Sequence, residues 1–276
     1  MNVQYENYSV LMSVYYKEKP EYLKQSIESM LNQTVPTNDF VIVCDGPLTP
    51  ELDAVIDSYK NALHVVRLEK NGGLGPALNE GLKHCRNELV ARMDSDDISV
   101  PRRCEIQLEE YRKNPTLGIL SASLLEFTET TDNVIGKRTL PVENEQIRRY
   151  SKRRCPFNHP VVMFKKEAVQ QAGGYNGRFH LFEDYYLWIR MIQTGVEARN
   201  ISENLLYMRA PADMFQRRGG MKYAKDMLKF RGWMVKSGWS SWKDFTFSAL
   251  PQAVVCVAPN WLREKVYAHL HDQSAK

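Results

Sequence analysis

The sequence predicts an α/β protein with a doubly wound, mixed sheet and a helical extension at its C-terminal end. Three observations predict it. Short apolar runs alternate with helical patterns through the first hundred residues, the mark of strand–helix–strand units. Acidic residues stand where two of those runs end, at Asp45 and at Asp94-Ser95-Asp96-Asp97, and in such sheets ligands bind beyond the carboxyl ends of the strands. After Pro101 the alternation breaks down, and the chain closes in a basic, amphipathic block.

Residues 9–16 (SVLMSVYY) read as a buried first strand. Pro20 opens a helix, as proline can in a first turn, and Leu23, Ile27, Met30 and Leu31 recur at helical spacing before Pro36. FVIVCDGP (40–47) is a second strand that stops at Asp45-Gly46-Pro47. A helix over 51–59 and a third strand over 64–69 follow. NGGLGP (71–76) is a turn that leads into a helix through Leu78, Leu82 and Cys85, and ELVARMD (88–94) is the fourth strand. Beyond Pro101 the pattern predicts a helix over 103–113, strands near 117–127, a basic loop into a strand over 161–166, and a helix over 184–194. Residues 219–236 place Met221, Ala224, Met227, Leu228, Met234 and Val235 on one helical face with lysines between them. The divisions expected are 1–100, 101–210 and a basic helical region over 211–276.

Composition is that of a soluble globular chain, with 43% hydrophobic and 25% charged residues. The net charge of +4 is uneven, because residues 211–276 hold eleven Lys/Arg against five Asp/Glu. Such a block suits an anionic partner, a membrane lipid or a lipid diphosphate, or is a solvated helical face. No nucleic-acid-binding motif accompanies it. The five cysteines show no zinc spacing and read as free thiols of a reducing compartment, with Cys44 a small buried hydrophobe. The N-terminus lacks the layout of a secretory signal. The longest apolar stretch, 245–262, is broken by Pro251 and Pro259, so it is expected to lie on a membrane surface at most.

Four constellations carry chemistry. In ARMDSDD (91–97), Asp94 and Asp96 can place two carboxylates around a hard divalent cation, or can simply cap a turn. An EF-hand is rejected, because Ile98 and Ser99 stand where a ligand and a glycine are needed. NGGLGPALNEG (71–81) lacks the ending of a P-loop and the spacing of a dinucleotide loop. FEDYYLWIRM (182–191) puts Glu183 and Asp184 at a helix start, as a general base or as dipole partners, with Tyr185, Tyr186 and Trp188 as a sugar platform or as core. MFQRRGG (214–220) offers Arg217 and Arg218 to a diphosphate or to solvent.

Taken in order, the SV strand, Asp45, GLGPALNEGL, DSDD, GGY, ED and an arginine pair resemble the family 2 glycosyltransferases of GT-A fold, from about residue 9 to 220. CPFNHPVVMFKKEAV (155–169) and GGYN (173–176) are similar to segments of the capsule, exopolysaccharide and O-antigen subgroup. The resemblance implies a Rossmann-like GT-A sheet and an inverting hexosyltransferase dependent on Mn²⁺ or Mg²⁺. Its donor would be a nucleotide sugar, UDP-galactose among the candidates, and its acceptor a glycan or lipid-linked sugar at the inner face of the cell membrane. It implies that Asp96 and Asp94 hold the metal. Ser13, Tyr15, Asp45, Asn71, Gly73, Arg92, Asp94, Ser95, Arg217 and Arg218 would meet the donor. Asp184 would be the base, with Glu183 second, and Asn158, His159 and Trp188 would border the acceptor.

Two departures stand out. Cys44-Asp45 replaces the Asp-Asp pair frequent in the family, and Gln216-Arg217-Arg218 is only a partial echo of QxxRW. The competing classes are a nucleotidyltransferase, whose Gly-rich lysine signature SVLMSVYYKEK does not supply, and a non-catalytic binding module.

Overall fold

The computed structural model describes residues 5–179, 181–210 and 220–258. Nine strands form one mixed sheet: β1 (Tyr8–Val14), β2 (Asp39–Cys44), β3 (His64–Arg67), β4 (Leu89–Asp94), β5 (Ile98–Ser99), β6 (Leu117–Phe127), β7 (Val134–Arg138), β8 (Met163–Lys165) and β9 (Glu197–Arg209). The order is β3-β2-β1-β4-β8-β6-β9-β5, with β7 hairpinned onto β6. The first four strands are parallel. Strand β8 enters antiparallel between β4 and β6, and β9 runs parallel to β6.

The chain winds outward from β1 to β3 and returns to place β4 on the other side of β1. That reversal opens a crevice at the carboxyl ends of β1, β2 and β4, the place where such sheets bind ligands. Val14 pairs with Cys44 and Ser13 with Asp94, so Ser13, Asp45 and Asp94 share one end of the sheet.

Alternation along each strand feeds two cores. Val10, Met12 and Val14 meet α1 (Pro20–Leu31), α2 (Pro50–Ser58) and α4 (Arg103–Lys113) on one face. Leu11, Val41, Val43 and Val90 meet α3 (Leu74–His84) and α7 (Glu183–Gln193) on the other. Gly81 lets α3 approach closely, since a β-carbon there would stand 2.4 Å from Leu11 Cδ1 and 2.7 Å from Val43 Cγ2. The five cysteines form no disulfide, and Cys44 is buried.

Two short helices, α5 (Asn144–Tyr150) and α6 (Lys166–Gln171), join the later strands, and α8 (Met221–Lys236) packs on α7. Phe230 of α8 stacks on Phe182 at 5.3 Å and meets Tyr185 edge-on at 4.9 Å, while Trp233 meets Tyr186 at 4.6 Å. Buried Arg231 donates to the Tyr185 hydroxyl at 3.1 Å. A last helical run passes through Trp242–Asp244, a π-wound Phe245–Ala249 and Leu250–Val257. No described helix is long and apolar enough to cross a membrane.

The sequence pattern missed part of the second half. The strand expected over 161–166 is shorter, because His159–Val161 forms a tight 3₁₀ turn before β8. Strand β9, EARNISENLLYMR, was not foreseen: its polar residues hide the alternation, and pairing with β6 and β5 holds it in the sheet.

Candidate active site

The crevice gathers two kinds of carboxylate. Asp45 follows β2 and is buried; its Oδ1 accepts from the Gly72 N–H at 2.7 Å and its Oδ2 from the Gly73 N–H at 2.9 Å. Asn71 Nδ2 returns a bond to the Asp45 carbonyl at 3.1 Å. Gly46 makes this possible, because its φ is +85° and a β-carbon would lie 2.6 Å from the Asn71 nitrogen. Asp45, Asn71 and Gly73 are thus one closed loop. Tyr15, beyond the end of β1, is exposed and meets Tyr16 edge-on.

The second group is the turn after β4. Buried Arg92 grips Asp94 with its fork, Nη1 to Oδ2 at 2.6 Å and Nη2 to Oδ1. Burial opposes the Arg92 charge, but Asp94, Tyr175 and Asp97 outweigh it and hold the group protonated. Ser26 donates to the Asp94 carbonyl at 2.6 Å, and Ser95 donates to Glu18 at 2.6 Å. Asp97 accepts from the Arg209 N–H at 2.8 Å through Oδ1, while its Oδ2 is buried without a partner. Arg209 also donates Nε to the Asp96 carbonyl at 3.0 Å.

Arg92 offsets the charge of Asp94, but this turn holds two further carboxyl groups, Asp96 and Asp97, with no cation among the described residues paired to them in the same way. Burial, then Asp94 and Glu18, push the Asp96 carboxyl up to about 7. Burial, then Asp96 and Asp94, push the Asp97 carboxyl well above the carboxylate range. One oxygen each from Asp94, Asp96 and Asp97 lies within 4.8 Å of the others. An all-oxygen donor set with an orphaned buried Oδ2 fits a hard divalent cation such as Mg²⁺ or Mn²⁺.

The far wall is built from the GGY and ED segments. Asn79 of α3 clamps Tyr175 reciprocally, accepting from its N–H and donating to its carbonyl, both at 2.8 Å. Arg190 of α7 donates to the Gly174 carbonyl at 2.7 Å and fixes the turn before it. The Tyr175 hydroxyl lies 3.0 Å from His159 Nε2. Burial raises the Tyr175 pKa, and the charges of Arg92, Asp184 and Asp94 also act on it. Burial, then Arg92, holds His159 well below the usual imidazole range and therefore neutral. Glu183 and Asp184 are half-buried in the first turn of α7, and Asp184 Oδ1 accepts from the Tyr185 N–H at 2.6 Å.

The structure brings Ser13, Asp45, Asn71, Gly73, Arg92, Asp94, Ser95 and Asp96 to one end of the sheet, but not in equivalent roles. Asn158 is buried, and its amide donates to the Ala122 carbonyl at 2.9 Å, bracing β6. Trp188 requires correction as an acceptor platform. It has no exposed surface and packs edge-on against Phe157 and His159 at 5.8 and 5.6 Å, so it belongs to the core, as do Tyr185 and Tyr186. Arg217 and Arg218 lie outside the described residues. Asn79, Tyr175, Glu18, Asp97 and Arg209 carry site contacts to which the sequence pattern assigned no role. The motifs were the available signal, since Asn79 lies within GLGPALNEGL, Tyr175 within GGY and Asp97 within DSDD.

A mixed sheet of this order with an acidic turn at its parallel ends is the GT-A architecture, and comparison with known proteins agrees. The model of the Glycosyl transferase family 2 domain matches residues 9–173, and the chain belongs to that family. It is 38% identical over 262 residues to the UDP-Gal:alpha-D-GlcNAc-diphosphoundecaprenol beta-1,3-galactosyltransferase of Escherichia coli, covering 94% of each chain. It is 40% identical over 224 residues to the amylovoran biosynthesis glycosyltransferase AmsE of Erwinia amylovora, covering 80% of this chain and 83% of that one. Among solved structures, the Pyrobaculum calidifontis mannosyltransferase PcManGT in complex with GDP-Man and Mn²⁺ superposes with a TM-score of 0.65 at 16% identity, over 97% of this chain and 81% of the other. The protein is a glycosyltransferase of GT-A fold.

Proposed function

We propose that this enzyme transfers one galactose from UDP-galactose to a sugar on a lipid diphosphate, with inversion, in the synthesis of a bacterial surface polysaccharide. The observation that carries the chemistry is the under-neutralised turn Asp94–Asp97 gripped by buried Arg92. The near full-length similarity to the galactosyltransferase of Escherichia coli supports the donor and acceptor. Residues 1–100 bind the nucleotide sugar, 101–210 the acceptor, and the basic region 211–276, at +6, meets an anionic surface on the cytoplasmic side of the membrane.

Asp96 and Asp94 hold Mn²⁺ or Mg²⁺ in this reading, which would neutralise charge on the departing diphosphate. Arg92 locks the rotamer of Asp94, so that carboxylate meets the donor already oriented. Ser13, Tyr15, Asp45, Asn71, Gly73 and Ser95 shape the nucleotide pocket, with Asp45 acting chiefly by holding the loop that does so. Arg217 and Arg218 cover the diphosphate. Asp184 takes the proton from the acceptor hydroxyl, with Glu183 as the second candidate. The freed oxygen attacks the anomeric carbon opposite the diphosphate. The bond from that carbon to the diphosphate breaks, and its electron pair leaves with UDP. One displacement converts an α-linked donor to a β-linked product. His159, neutral and hydrogen-bonded to Tyr175, borders the acceptor with Asn158.

The test is a donor panel with Mn²⁺ and a lipid-diphosphate-linked N-acetylglucosamine acceptor, read as UDP release and by the anomeric configuration of the product. The expected result is turnover of UDP-galactose to a β-linked disaccharide, lost in Asp184→Asn with donor binding retained. Turnover of another donor would replace galactose; an α-linked product would overturn the single displacement; full activity of Asp184→Asn would move the base to Glu183.

A further inference from the structure

A helix that merely covers a globular protein turns charged residues to water and apolar ones inward. The last helical run is apolar on both sides. Ala249 and Cys256 fill its inner side, and Gly220 at the start of α8 donates to the Cys256 carbonyl at 2.8 Å. Its outer side carries Phe247, Leu250, Val254 and Val257, spaced three, four and three residues apart and so on one face. Phe247 is 76% exposed and Val254 67%, and Trp242 at the near end is 69% exposed. Residues 245–258 contain no charged side chain. The stripe runs about 15 Å along the helix, and contiguous exposed apolar surface of this kind marks an interaction site.

The charges around the stripe select its occupant. Every exposed charged residue within the described residues 220–258 is a lysine: Lys222, Lys225, Lys229, Lys236 and Lys243. The acids there are half-buried and paired, Asp226 with Lys229 at 3.5 Å and Asp244 with Arg153 at 2.7 Å. Lys243 follows Trp242 at one end. Lys222 follows Met221, 61% exposed, at the other end, where Gly220 meets Cys256. Apolar side chains between cations match an anionic lipid interface, in which lysine stems run along the apolar layer and their ammonium groups reach phosphates. A second copy of the chain would bring the same lysine rims together and be repelled.

We infer that the run 242–257 is an in-plane membrane anchor: Phe247, Leu250, Val254 and Val257 enter the acyl boundary of an anionic bilayer, and Lys222 and Lys243 bind its headgroups. The run lies on the membrane rather than across it, being too short to span. The anchor is joined to the catalytic crevice through packed rings. Tyr223 and Phe230 of α8 contact Phe182, the residue before Glu183 and Asp184, at 5.4 and 5.3 Å. The inference deepens the lipid-linked-acceptor reading and rests on it for its purpose, whereas membrane binding is measured without transfer.

The experiment is flotation of the full chain with vesicles of phosphatidylcholine alone or mixed with phosphatidylglycerol, at low and high salt, alongside sedimentation velocity and UDP-galactose hydrolysis. The wild type is expected to float with the anionic vesicles. Phe247→Glu/Val254→Glu should lower partitioning about tenfold or more, with an unchanged circular dichroism spectrum and hydrolysis rate. Lys222→Glu/Lys243→Glu should lose only the salt-sensitive part. A wild type that fails to float, or stripe variants that float equally well, would overturn the anchor. A wild-type dimer that becomes monomeric in the stripe variant would overturn it in favour of self-association. Stripe-dependent flotation without any UDP-galactose turnover would leave the anchor standing and remove the functional reading.

Discussion

Asp45 and Asp96 follow strands that flank the same central strand β1, yet the protein treats their charges in opposite ways. Asp45 receives two backbone N–H groups within 3 Å and closes a loop on itself. Asp96 lies beside Asp94 and Asp97, and burial, then the charges of Asp94 and Glu18, raise its carboxyl to about 7. Position at a strand end therefore does not define a role. The first carboxylate is satisfied by the loop it holds, whereas the second belongs to a cluster in which burial and like charge oppose ionisation.

Asp96→Asn breaks this contrast at its most sensitive point. Loss of the carboxylate should lower transfer on the order of 10²–10³-fold, the scale for removing one strong electrostatic stabiliser, while the urea midpoint without metal does not fall. A fall in midpoint would make Asp96 structural, like Asp45. The reverse pattern is expected of Asp45→Ala, which strands two loop N–H groups and should cost about 3 kcal/mol in urea unfolding. Gly46→Ala probes the same loop from its backbone. The added β-carbon meets Asn71 at a positive φ, and a loss of about 2 kcal/mol is expected. Mn²⁺ sharpens the contrast most gently: where the free ion equals its dissociation constant it should stabilise the wild type by about 0.4 kcal/mol, and Asp96→Asn by less. Equal stabilisation of both proteins, read by thermal unfolding, would place the ion elsewhere.

Both carboxylates were legible in the sequence as acids ending apolar runs, because a strand and the turn after it are written in adjacent residues. Their difference was not. It depends on Gly72 and Gly73 reaching Asp45 from 27 and 28 residues away, and on Glu18 lying 77 residues from Ser95. Trp188 shows the same limit. A helix rich in aromatics reads equally as platform or core, and only the packing of Phe157, His159 and Tyr175 around the ring decides.

The C-terminal run extends the lesson to a surface. Its apolar residues were visible in the sequence, but an apolar stripe normally faces inward; only the placement of Ala249 and Cys256 against α8 turned Phe247 and Val254 outward. The sequence by itself determined the order of the parallel strands and their helices, the acidic turn after β4, the basic C-terminal block and the family. Those follow from local periodicity and from motifs a few residues long. The tertiary structure alone decided which carboxylate is satisfied, which aromatic is covered and which face of the last helix meets solvent. Burial and electrostatics are set by neighbours in space, and the fold draws those neighbours from distant parts of the chain.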